Sequence, residues 1–317
     1  MAKHGWPRSA VAARVRVIVD NDFSGDPDGL VQLAHHLLSP SVDIRALIGT
    51  RMDPHGWAHP TADHVGTAVA EAERIARLCD RTDVPIVRGA DAGLPDHRTP
   101  VETDGVRAII DEAMRDDPRP LFVACGASLT EVASAWLLEP RIAERLTVVW
   151  IGGHEYEAPV APGAPDLEYN LGIDRIAAQV VFNESALPVW QFPRDAYRQA
   201  LASRAELQLR MGTAGRLGRH LLDRLGGTAR RLADAGTPIG EVYVLGDSPL
   251  VLATALLTSF EPDAASCSWE VRPCPRIGDD GLYVQRADGR PIRVFTRIDN
   301  RLWLEDLLAK LQLHAPR

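Results

Sequence analysis

Four carboxylates lie within nine residues near the start of the chain, immediately after an apolar run. They are Asp20, Asp22, Asp26 and Asp28. The run before them, 15–19, is typical of a buried strand, and the pattern over 30–38 after them indicates a helix. Because like charges repel, such a cluster favours a compensating hard cation such as Ca²⁺ or Mg²⁺, which takes several oxygen ligands. The segment therefore predicts a metal or acid/base site; a solvated acidic loop with Asp28 as a helix N-cap is the plainer alternative.

A second acidic position, Asp247, follows the apolar run 242–245 and precedes a helix-like stretch over 250–257. Taken alone, this position is explained equally well by a helix N-cap, with Pro249 in the first turn. The functional interpretation is that Asp247 meets the first acidic cluster across the top of a sheet. The sequence leaves both interpretations open.

Two further segments place polar groups after irregular or apolar stretches. Glu168 and Asn170, with an aromatic residue between them, follow the Pro-, Ala- and Gly-rich stretch 158–166, which predicts an active-site loop. Acid, aromatic and amide side chains suit a polar ligand such as a sugar, although ordinary loop polarity explains them too. Cys125 ends an apolar run before a glycine turn, and the backbone carbonyls exposed there are candidate cation ligands.

The composition excludes several function classes. The chain has 317 residues with 45% hydrophobic and 25% charged side chains, which is ordinary for a globular protein with a sizeable core. A net charge of −8 argues against a general nucleic-acid binder, and no apolar run reaches the length of a membrane span. Four cysteines without C-x-x-C spacing predict reduced thiols. Since residues 1–16 also lack the apolar core of a secretory signal, a cytoplasmic location is expected.

Apolar runs alternate with helical patterns through the first two thirds of the chain. The predicted strands cover 15–19, 44–49, 86–87, 121–124, 146–151 and 188–191. The predicted helices cover 30–38, 61–78, 105–114, 128–138 and 174–183. This alternation predicts an α/β fold with a mostly parallel central sheet and helices on both faces. Ligands of such sheets bind beyond the carboxyl ends of the strands, which is where the acidic cluster falls.

The last third of the chain is expected to complete the same domain. The Arg-rich stretch 198–231 indicates helices with a solvated charged face. Alternation over 269–297, with a turn at 287–290, predicts a small C-terminal β-hairpin, and the pattern over 303–313 predicts a closing amphipathic helix. The expected organisation is a single domain over 1–317, with a core at about 15–257 and the hairpin and closing helix in 258–317.

Several short motifs follow one another in a recognisable order. They are Asp20-Asn21-Asp22, Asp26-Pro27-Asp28, Leu129-Thr130-Glu131, Gly152-Gly153, Glu168-Tyr169-Asn170 and Gly246-Asp247-Ser248-Pro249. Together they resemble the nucleoside hydrolases of the inosine-uridine-preferring type, which open with a strand and an Asp-x-Asp-Pro-Gly-x-Asp-Asp signature. Pro27 stands as an insertion between the last two acidic residues of that signature. The resemblance covers about 15–257 and implies the Rossmann-like α/β fold of that family.

The resemblance implies a Ca²⁺-dependent N-glycosidase that splits a ribonucleoside or related ribosyl compound into base and ribose. Transferred by motif, the Ca²⁺ ligands would be Asp22, Asp28 and Asp247, with a backbone carbonyl near Cys125 completing the set. Asp22 would also be the general base that activates the attacking water. Asp20 is left without a part in this scheme and is expected to be a supporting or structural acid.

The same transfer assigns the sugar contacts. Asp26, Asn170 and Asp247 would hold the ribose hydroxyls, and Glu168 would reach the 5′ side. The transition state is expected to be oxocarbenium-like, and surrounding carboxylates stabilise such developing positive charge. The implied partner is a small nucleoside or ribosyl compound, without nucleic acid or membrane, and a homo-oligomer (dimer or tetramer) is expected.

The chain departs from the family pattern at positions that bear on the leaving group. Gly246 stands where the family has His before the late Asp, a usual candidate for protonating the leaving base. Arg51 stands where an amide of the family would face the sugar. His55, His97 and His154 are the candidate leaving-group acids, because imidazole titrates in the neutral range. Purine or pyrimidine preference does not follow from the motifs.

Two other functions are consistent with parts of the sequence. A haloacid-dehalogenase-like phosphatase also carries Asp-x-Asp after a strand, but it normally uses a lysine, and the only lysines are Lys3 and Lys310. A nucleoside- or sugar-binding protein that keeps the Ca²⁺ site without turnover is the other alternative, because Gly246 replaces the usual acid.

Overall fold

The fold is built around one eight-stranded sheet. The computed structural model describes residues 11–53, 63–157, 166–258 and 267–316. The strands are β1 (Val15–Asn21), β2 (Val42–Gly49), β3 (Ile86–Arg88), β4 (Leu121–Cys125), β5 (Leu146–Ile151), β6 (Val189–Phe192), β7 (Leu201–Ser203), β8 (Val242–Val244), β9 (Ser268–Pro273), β10 (Arg276–Ile277), β11 (Tyr283–Val284) and β12 (Pro291–Arg297).

Helices connect most of these strands. They are α1 (Asp28–Leu37), α2 (His64–Leu78), α3 (Asp104–Ala113), α4 (Thr130–Leu138), α5 (Tyr169–Ile173), α6 (Arg175–Gln179), α7 (Arg194–Tyr197), α8 (Arg204–Glu206), α9 (Gly215–Asp234), α10 (Pro249–Thr254) and α11 (Asn300–His314). A 3₁₀ turn (Pro140–Glu144) and two π-helical turns (Val180–Glu184 and Leu207–Met211) complete the helical elements described. None of the described helices combines the length and the apolar character that crossing a membrane requires.

The sheet confirms the predicted α/β architecture. Its strand order is β3-β2-β1-β4-β5-β6-β12-β9, and every neighbouring pair is parallel except β12 with β9. The chain runs outward from β1 to β3 and then returns to place β4 on the other side of β1. The carboxyl ends of β1 and β4 therefore flank a topological switch point, the usual ligand site of a parallel sheet.

Hydrophobic cores cover both faces of the sheet. Helices α1, α2, α9, α10 and α11 pack on one face, and α3, α4 and α6 pack on the other. The alternation along β1 feeds both cores, because Val17 and Val19 belong to the first and Ile18 to the second. Burial on both sides explains the continuous apolar run that marks this strand in the sequence.

The strand β1 is two residues longer than its apolar run. It continues to Asn21, and Asp20 and Asn21 are both fully buried. Backbone pairing with β2 on one side and β4 on the other carries these polar residues into the sheet. The acidic segment therefore begins inside the protein rather than in a solvated loop.

The C-terminal region differs from its predicted form. Strands β9 and β12 pair antiparallel, as expected of a hairpin, but the short β10–β11 ladder lies within their connection. They extend the central sheet, since β12 also pairs parallel with β6. Side-chain stacking fixes this junction: the rings of Phe192 and Phe295 are 4.0 Å apart, and the Arg293 guanidinium lies 4.0 Å from the rings of both Trp190 and Trp269.

Two predicted helical regions are also corrected. The single helix expected over 174–183 is α6 continued by a π-helical turn. The stretch 198–231, expected to be helical throughout, contains β7, which pairs with β8 from 40 residues later. A three-residue strand whose partner is distant leaves no periodic signal in its own sequence.

Candidate active site

A cavity of about 320 Å³ opens at the switch point between β1 and β4. Its size is in the range of small-molecule sites. The residues that line it are Asp22, Asp26, Asp28, Gly126, Ile151, Glu168, Tyr169, Asn170, Tyr197, Gly246 and Asp247. All six acidic and amide side chains that the sequence motifs single out for the metal and the sugar are thus brought together. Two larger surface cavities, of about 780 and 580 Å³, contain none of these carboxylates.

Pro27 shapes the turn without removing either neighbouring carboxylate from the cavity. It is the N-cap residue of α1, and its carbonyl accepts hydrogen bonds from the N–H groups of Leu30 and Val31. Asp28 is then the first helical residue, so the alternative that makes it the N-cap is wrong. Both Asp26 and Asp28 line the cavity, one on each side of the proline.

Asp247 reaches the same cavity from the other end of the chain. Its backbone N–H donates to Asp28 Oδ2 at 3.2 Å, and its own Oδ2 accepts a hydrogen bond from Asn21 Nδ2 at 2.9 Å. Ser248 rather than Asp247 is the N-cap of α10, and no side chain caps that helix. The helix-cap alternative for Asp247 is therefore wrong, and its carboxylate is directed to the site.

Small residues let these two acidic segments approach. A Cβ atom at Gly29 would lie 3.3 Å from Asp247 Oδ2, and one at Gly246 would lie 3.3 Å from Asp28 Oδ2. Such contacts are tighter than ordinary van der Waals packing. The glycine at 246, where the family has His, thus helps the Asp28 carboxylate lie against the Asp247 backbone.

The clustered carboxylates hold protons more strongly than isolated ones. Burial raises the pKa of Asp247 to about 7 and that of Asp26 to about 6. Burial, with repulsion from Asp247 and Asp26, raises the pKa of Asp22 well above its ordinary value, and the same causes act on Asp28. A bound cation would relieve this repulsion.

The donor set fits a hard cation, although it is not already closed around one. Carboxylate oxygens from Asp22, Asp28 and Asp247 are the ligands that Ca²⁺ prefers. Within the part of the chain that the structure describes, no three His, Cys, Asp or Glu side chains are gathered around one point. Carboxylate rotation would therefore accompany ion binding.

The Cys125 thiol faces away from this cavity. It packs in the second core, with Sγ 3.8 Å from the Val123 carbonyl, and burial raises its pKa. Gly126, not Cys125, lines the cavity. The candidate metal ligand at Cys125 is therefore its backbone carbonyl, as the family motif implies, and not its thiol.

Glu168 is held by four hydrogen bonds from the protein. Its Oε1 accepts from Tyr197 Oη at 2.9 Å and from the Asn170 N–H at 3.3 Å. Its Oε2 accepts from the N–H groups of Gly153 at 2.7 Å and Leu171 at 3.0 Å. This carboxylate caps α5 and ties it to the end of β5, so it forms a rigid wall of the cavity.

Asn170 bridges two strand ends. Its Nδ2 donates to the Ile151 carbonyl at 2.8 Å and to the Gly126 carbonyl at 3.1 Å. With both amide hydrogens used, Oδ1 is the atom left for a ligand. An amide oxygen accepts hydrogen bonds, which suits a sugar hydroxyl.

Sequence reasoning missed three residues of the site. Tyr243 Oη donates to Asp26 Oδ1 at 2.7 Å, Tyr197 bonds Glu168, and Asn21 bonds Asp247. Tyr197 lies in a stretch with no motif of its own, and Tyr243 lies in the apolar run before Asp247, where nothing local marks it as a partner of Asp26. Asn21 stands inside the signature, and its position between two acidic residues was the available signal.

The remaining predicted positions lie away from the cavity or outside the described residues. His97 Nδ1 lies 2.6 Å from the carboxylate oxygen Oε1 of Glu184, and its Nε2 lies 3.1 Å from the amide oxygen of Gln179. His154 packs edge-to-face against Tyr283, and neither histidine lines the cavity. Arg51 donates to the Ile173 carbonyl.

His55 and most of the predicted loop 158–166 lie outside the described residues. Asp20 is buried in β1 and does not line the cavity. Burial, then repulsion from Glu131 and Asp22, raises its pKa well above the usual value.

The arrangement agrees with a comparison of the whole sequence. The family model of the inosine-uridine preferring nucleoside hydrolases matches residues 17–272. The chain belongs to this family. The match spans the acidic segment, the Glu168 motif and Asp247, and it replaces the phosphatase interpretation.

Two relatives in this nucleoside hydrolase family align over part of their length. An inosine-uridine preferring nucleoside hydrolase of Crithidia fasciculata is 30% identical over 220 residues, which cover 61% of this chain and 64% of that protein. One of Leishmania major is 37% identical over 113 residues, or 35% of each chain. The aligned regions thus span less than two thirds of these relatives.

Solved nucleoside hydrolases share the fold. A plant nucleoside hydrolase, PpNRh1, superposes with a TM-score of 0.72 at 15% identity, covering 94% of this chain and 99% of that one. A purine-preferring ribonucleoside hydrolase from Gardnerella vaginalis gives a TM-score of 0.70 at 16% identity, covering 94% and 98%. At these identities the likeness establishes the architecture.

Proposed function

We propose that this chain is a Ca²⁺-dependent hydrolase that cleaves the N-glycosidic bond of a ribonucleoside or related ribosyl compound, giving base and ribose. The observation that carries this proposal is the convergence of six motif side chains, from segments more than 200 residues apart, on one cavity of about 320 Å³. Membership of the nucleoside hydrolase family supports the reaction class. The names of the two relatives support a nucleoside as substrate.

Asp22, Asp28 and Asp247 would hold the Ca²⁺, with a backbone carbonyl at Cys125. Three carboxylates and a carbonyl form a set of hard oxygen donors. A bound cation would be stabilised because it relieves the repulsion between the carboxylates. When bound, Ca²⁺ supplies a positive charge that orients sugar hydroxyls and makes water more acidic.

The chain's own residues would divide the remaining tasks. Asp22 is the proposed general base, because its carboxylate lines the cavity beside the other proposed Ca²⁺ ligands, where an attacking water would lie. Asp26, Asn170 and Asp247 are proposed to hold the ribose hydroxyls: Asn170 through Oδ1, and Asp26 through the oxygen that Tyr243 does not bond. Glu168, fixed by protein donors, bounds the proposed 5′ side.

A panel of ribonucleosides with nicotinamide riboside, assayed for reducing sugar with and without chelator, tests the proposal. Hydrolysis of at least one member that stops with chelator and returns with Ca²⁺ is expected. Release that is unaffected by chelator would remove the metal from the proposal. Phosphate release from an aryl phosphate with Mg²⁺ would favour the phosphatase instead.

A binding protein without turnover is the second candidate. It is favoured by one observation: among the described residues that line the cavity there is no histidine to protonate a leaving base. Calorimetry that detects a ribosyl ligand, together with no reducing sugar over hours, would support it and contradict the hydrolase.

We also infer a reducing, cytoplasmic location and a homo-oligomer. Cys79, Cys125 and Cys274 are buried free thiols, which supports a reducing compartment. Light scattering of the purified protein tests for a dimer or tetramer.

A further inference from the structure

A chain of buried polar side chains leads from Asp247 away from the cavity. Its members are Asn21 at the end of β1, Gln32 and His36 on α1, and Thr254 on α10. Each has 0% of its surface exposed. Polar groups so deeply buried are costly unless their hydrogen bonds are complete, so the direction of each bond can be worked out from its neighbours.

Thr254 determines which group donates and which accepts in this series of hydrogen bonds. Its hydroxyl donates to the Leu250 carbonyl at 2.7 Å, so it must accept from His36 Nε2, which lies 2.8 Å away. His36 therefore carries its proton on Nε2, and Nδ1 accepts from Gln32 Nε2. Burial lowers the pKa of His36 to about 3, in keeping with this neutral imidazole.

The same reasoning assigns the donors and acceptors of the hydrogen bonds from Gln32 to Asp247 at the cavity. With Gln32 Nε2 committed to His36, Gln32 Oε1 accepts from Asn21 Nδ2 at 3.2 Å. The second hydrogen on Asn21 Nδ2 is donated to Asp247 Oδ2 at 2.9 Å, and Asn21 Oδ1 accepts the Asp22 N–H at 2.8 Å. Reversing either amide would oppose donor to donor.

Packing prevents the Asn21 side chain from turning. A Cβ atom at Gly126 would lie only 2.2 Å from Asn21 Nδ2, and one at Gly29 would lie 3.1 Å from it. The carboxamide is therefore wedged between the glycine that follows β4 and the first turn of α1. The Asn21 carboxamide hydrogen-bonds both Asp22 and Asp247, two residues that are more than 200 positions apart in the sequence.

We propose that Asn21 is a positioning residue for Asp22 and Asp247, and that the relay Thr254–His36–Gln32 fixes which atom of its amide faces Asp247. The proposal rests on the proposed function, since it gives these two carboxylates their catalytic and metal-binding tasks. Residues behind metal ligands typically change affinity or activity by about 10- to 100-fold when their hydrogen bonds are removed.

The test uses the full-length protein with Asn21→Ala, Thr254→Val and the double variant. Ca²⁺ affinity is measured by calorimetry and kcat/KM by release of reducing sugar from a nucleoside that the wild type cleaves. Ser185→Ala is the matched control, because Ser185 also donates from a buried hydroxyl to the carbonyl four residues earlier but lies outside the relay. Thermal unfolding checks that each variant is folded.

We expect Asn21→Ala to lower both quantities about 100-fold and Thr254→Val about 10-fold. The double variant should have the same Ca²⁺ affinity and kcat/KM as Asn21→Ala, because Thr254→Val acts only through the Asn21 amide. Ser185→Ala should stay within about twofold of the wild type. If Asn21→Ala does not fold, the near-isosteric Thr254→Val decides the matter.

Wild-type Ca²⁺ affinity and kcat/KM in folded Asn21→Ala or Thr254→Val would overturn the proposal, as would fully additive losses in the double variant. A wild-type protein that cleaves no nucleoside yet binds Ca²⁺ would contradict the proposed function alone, and the relay is then judged on Ca²⁺ affinity. A wild type that does neither overturns both.

Discussion

The carboxylates of the candidate site act on one another. Asp22, Asp26, Asp28 and Asp247 share one small cavity, and burial raises the pKa of each, with repulsion from neighbouring carboxylates adding to it at Asp22, Asp28 and Asp247. Such a set binds protons or a cation, and the two compete. Its tendency to bind a metal and its sensitivity to acid therefore have the same origin.

Ca²⁺ affinity should depend on pH for this reason. Because the pKa of Asp247 is raised to about 7 and that of Asp26 to about 6, lowering the pH through this window protonates groups at the ion's site. The apparent Kd for Ca²⁺ should rise by about tenfold per pH unit for each proton that binding displaces. Calorimetry between pH 8 and pH 5.5 checks this, and a Kd that is constant across the range would contradict it.

Asp22→Ala should abolish both Ca²⁺ binding and ribose release. Loss of the general base alone is expected to cost about 10³-fold in kcat, and the simultaneous loss of a Ca²⁺ ligand takes ribose release below detection. Asp111→Ala is the control, since Asp111 is an exposed acid on α3, a helix that packs on the other face of the sheet from α1. Full activity in Asp22→Ala would show that the motif transfer is wrong.

At the residue scale, the sequence identifies the site residues that belong to short local motifs. The motif residues Asp22, Asp26, Asp28, Glu168, Asn170 and Asp247 all line one cavity, and the roles assigned to them stay predictions. Two of the hydrogen bonds that orient them join residues far apart in the chain: Tyr243 bonds Asp26, 217 residues earlier, and Asn21 bonds Asp247, 226 residues later. Local sequence patterns do not report such pairs. The Cys125 thiol shows the opposite case, since the motif marks the backbone and says nothing about the side chain.

At the scale of elements, the turns after the strands determine the site. The turn after β5 depends on Gly153, whose φ is +88°. Its N–H bonds Glu168, and a Cβ atom there would lie 2.0 Å from Tyr283 Oη. This glycine lets the end of β5 approach both α5 and β11.

Gly153→Ala should therefore destabilise the protein by about 1–3 kcal/mol, through a strained φ and a steric clash. Gly240→Ala is the matched control, because a Cβ atom there has nothing within 4 Å. Urea unfolding of both variants measures the difference. Equal free energies of unfolding for the two would contradict the structural role assigned to Gly153.

Elements with strong local periodicity are predicted well, and those that depend on distant pairing are not. The strand β5 has the predicted bounds. The pairing of β12 with β6 and of β7 with β8 joins segments about 40 to 100 residues apart, and short strands carry too few residues for a pattern. The predicted β1 ends at residue 19 and the observed strand at Asn21, because Asp20 and Asn21 continue the sheet as buried polar residues, which an apolar pattern does not indicate.

At the scale of the whole molecule, burial of α1 against α10 and α11 makes the free energy of unfolding depend on pH. His35 Nε2 lies 2.8 Å from Asp306, and burial lowers the pKa of His35 from 6.5 to about 4. Below pH 6.5 the unfolded chain binds a proton that the folded protein excludes. Stability from this group is thus complete above 6.5 and is lost as the pH falls towards about 4.

The site carboxylates act in the opposite sense, because their raised pKa values let the folded protein bind protons first. The difference between wild type and His35→Leu isolates the histidine. Relative to the variant, the wild type should lose about 1 kcal/mol of unfolding free energy between pH 6.5 and pH 5.5. Urea unfolding at the two pH values measures it, and a difference that does not change with pH would contradict a neutral, buried His35.

Hydrolysis of a nucleoside in ¹⁸O-labelled water tests the central claim most directly. With Ca²⁺ present, the products should be unlabelled base and ribose carrying one ¹⁸O at the anomeric carbon, detected by mass spectrometry, and Asp22→Ala should give neither. Absence of labelled ribose from every nucleoside in the panel and from nicotinamide riboside would contradict the assignment of this cavity as a nucleoside hydrolase active site.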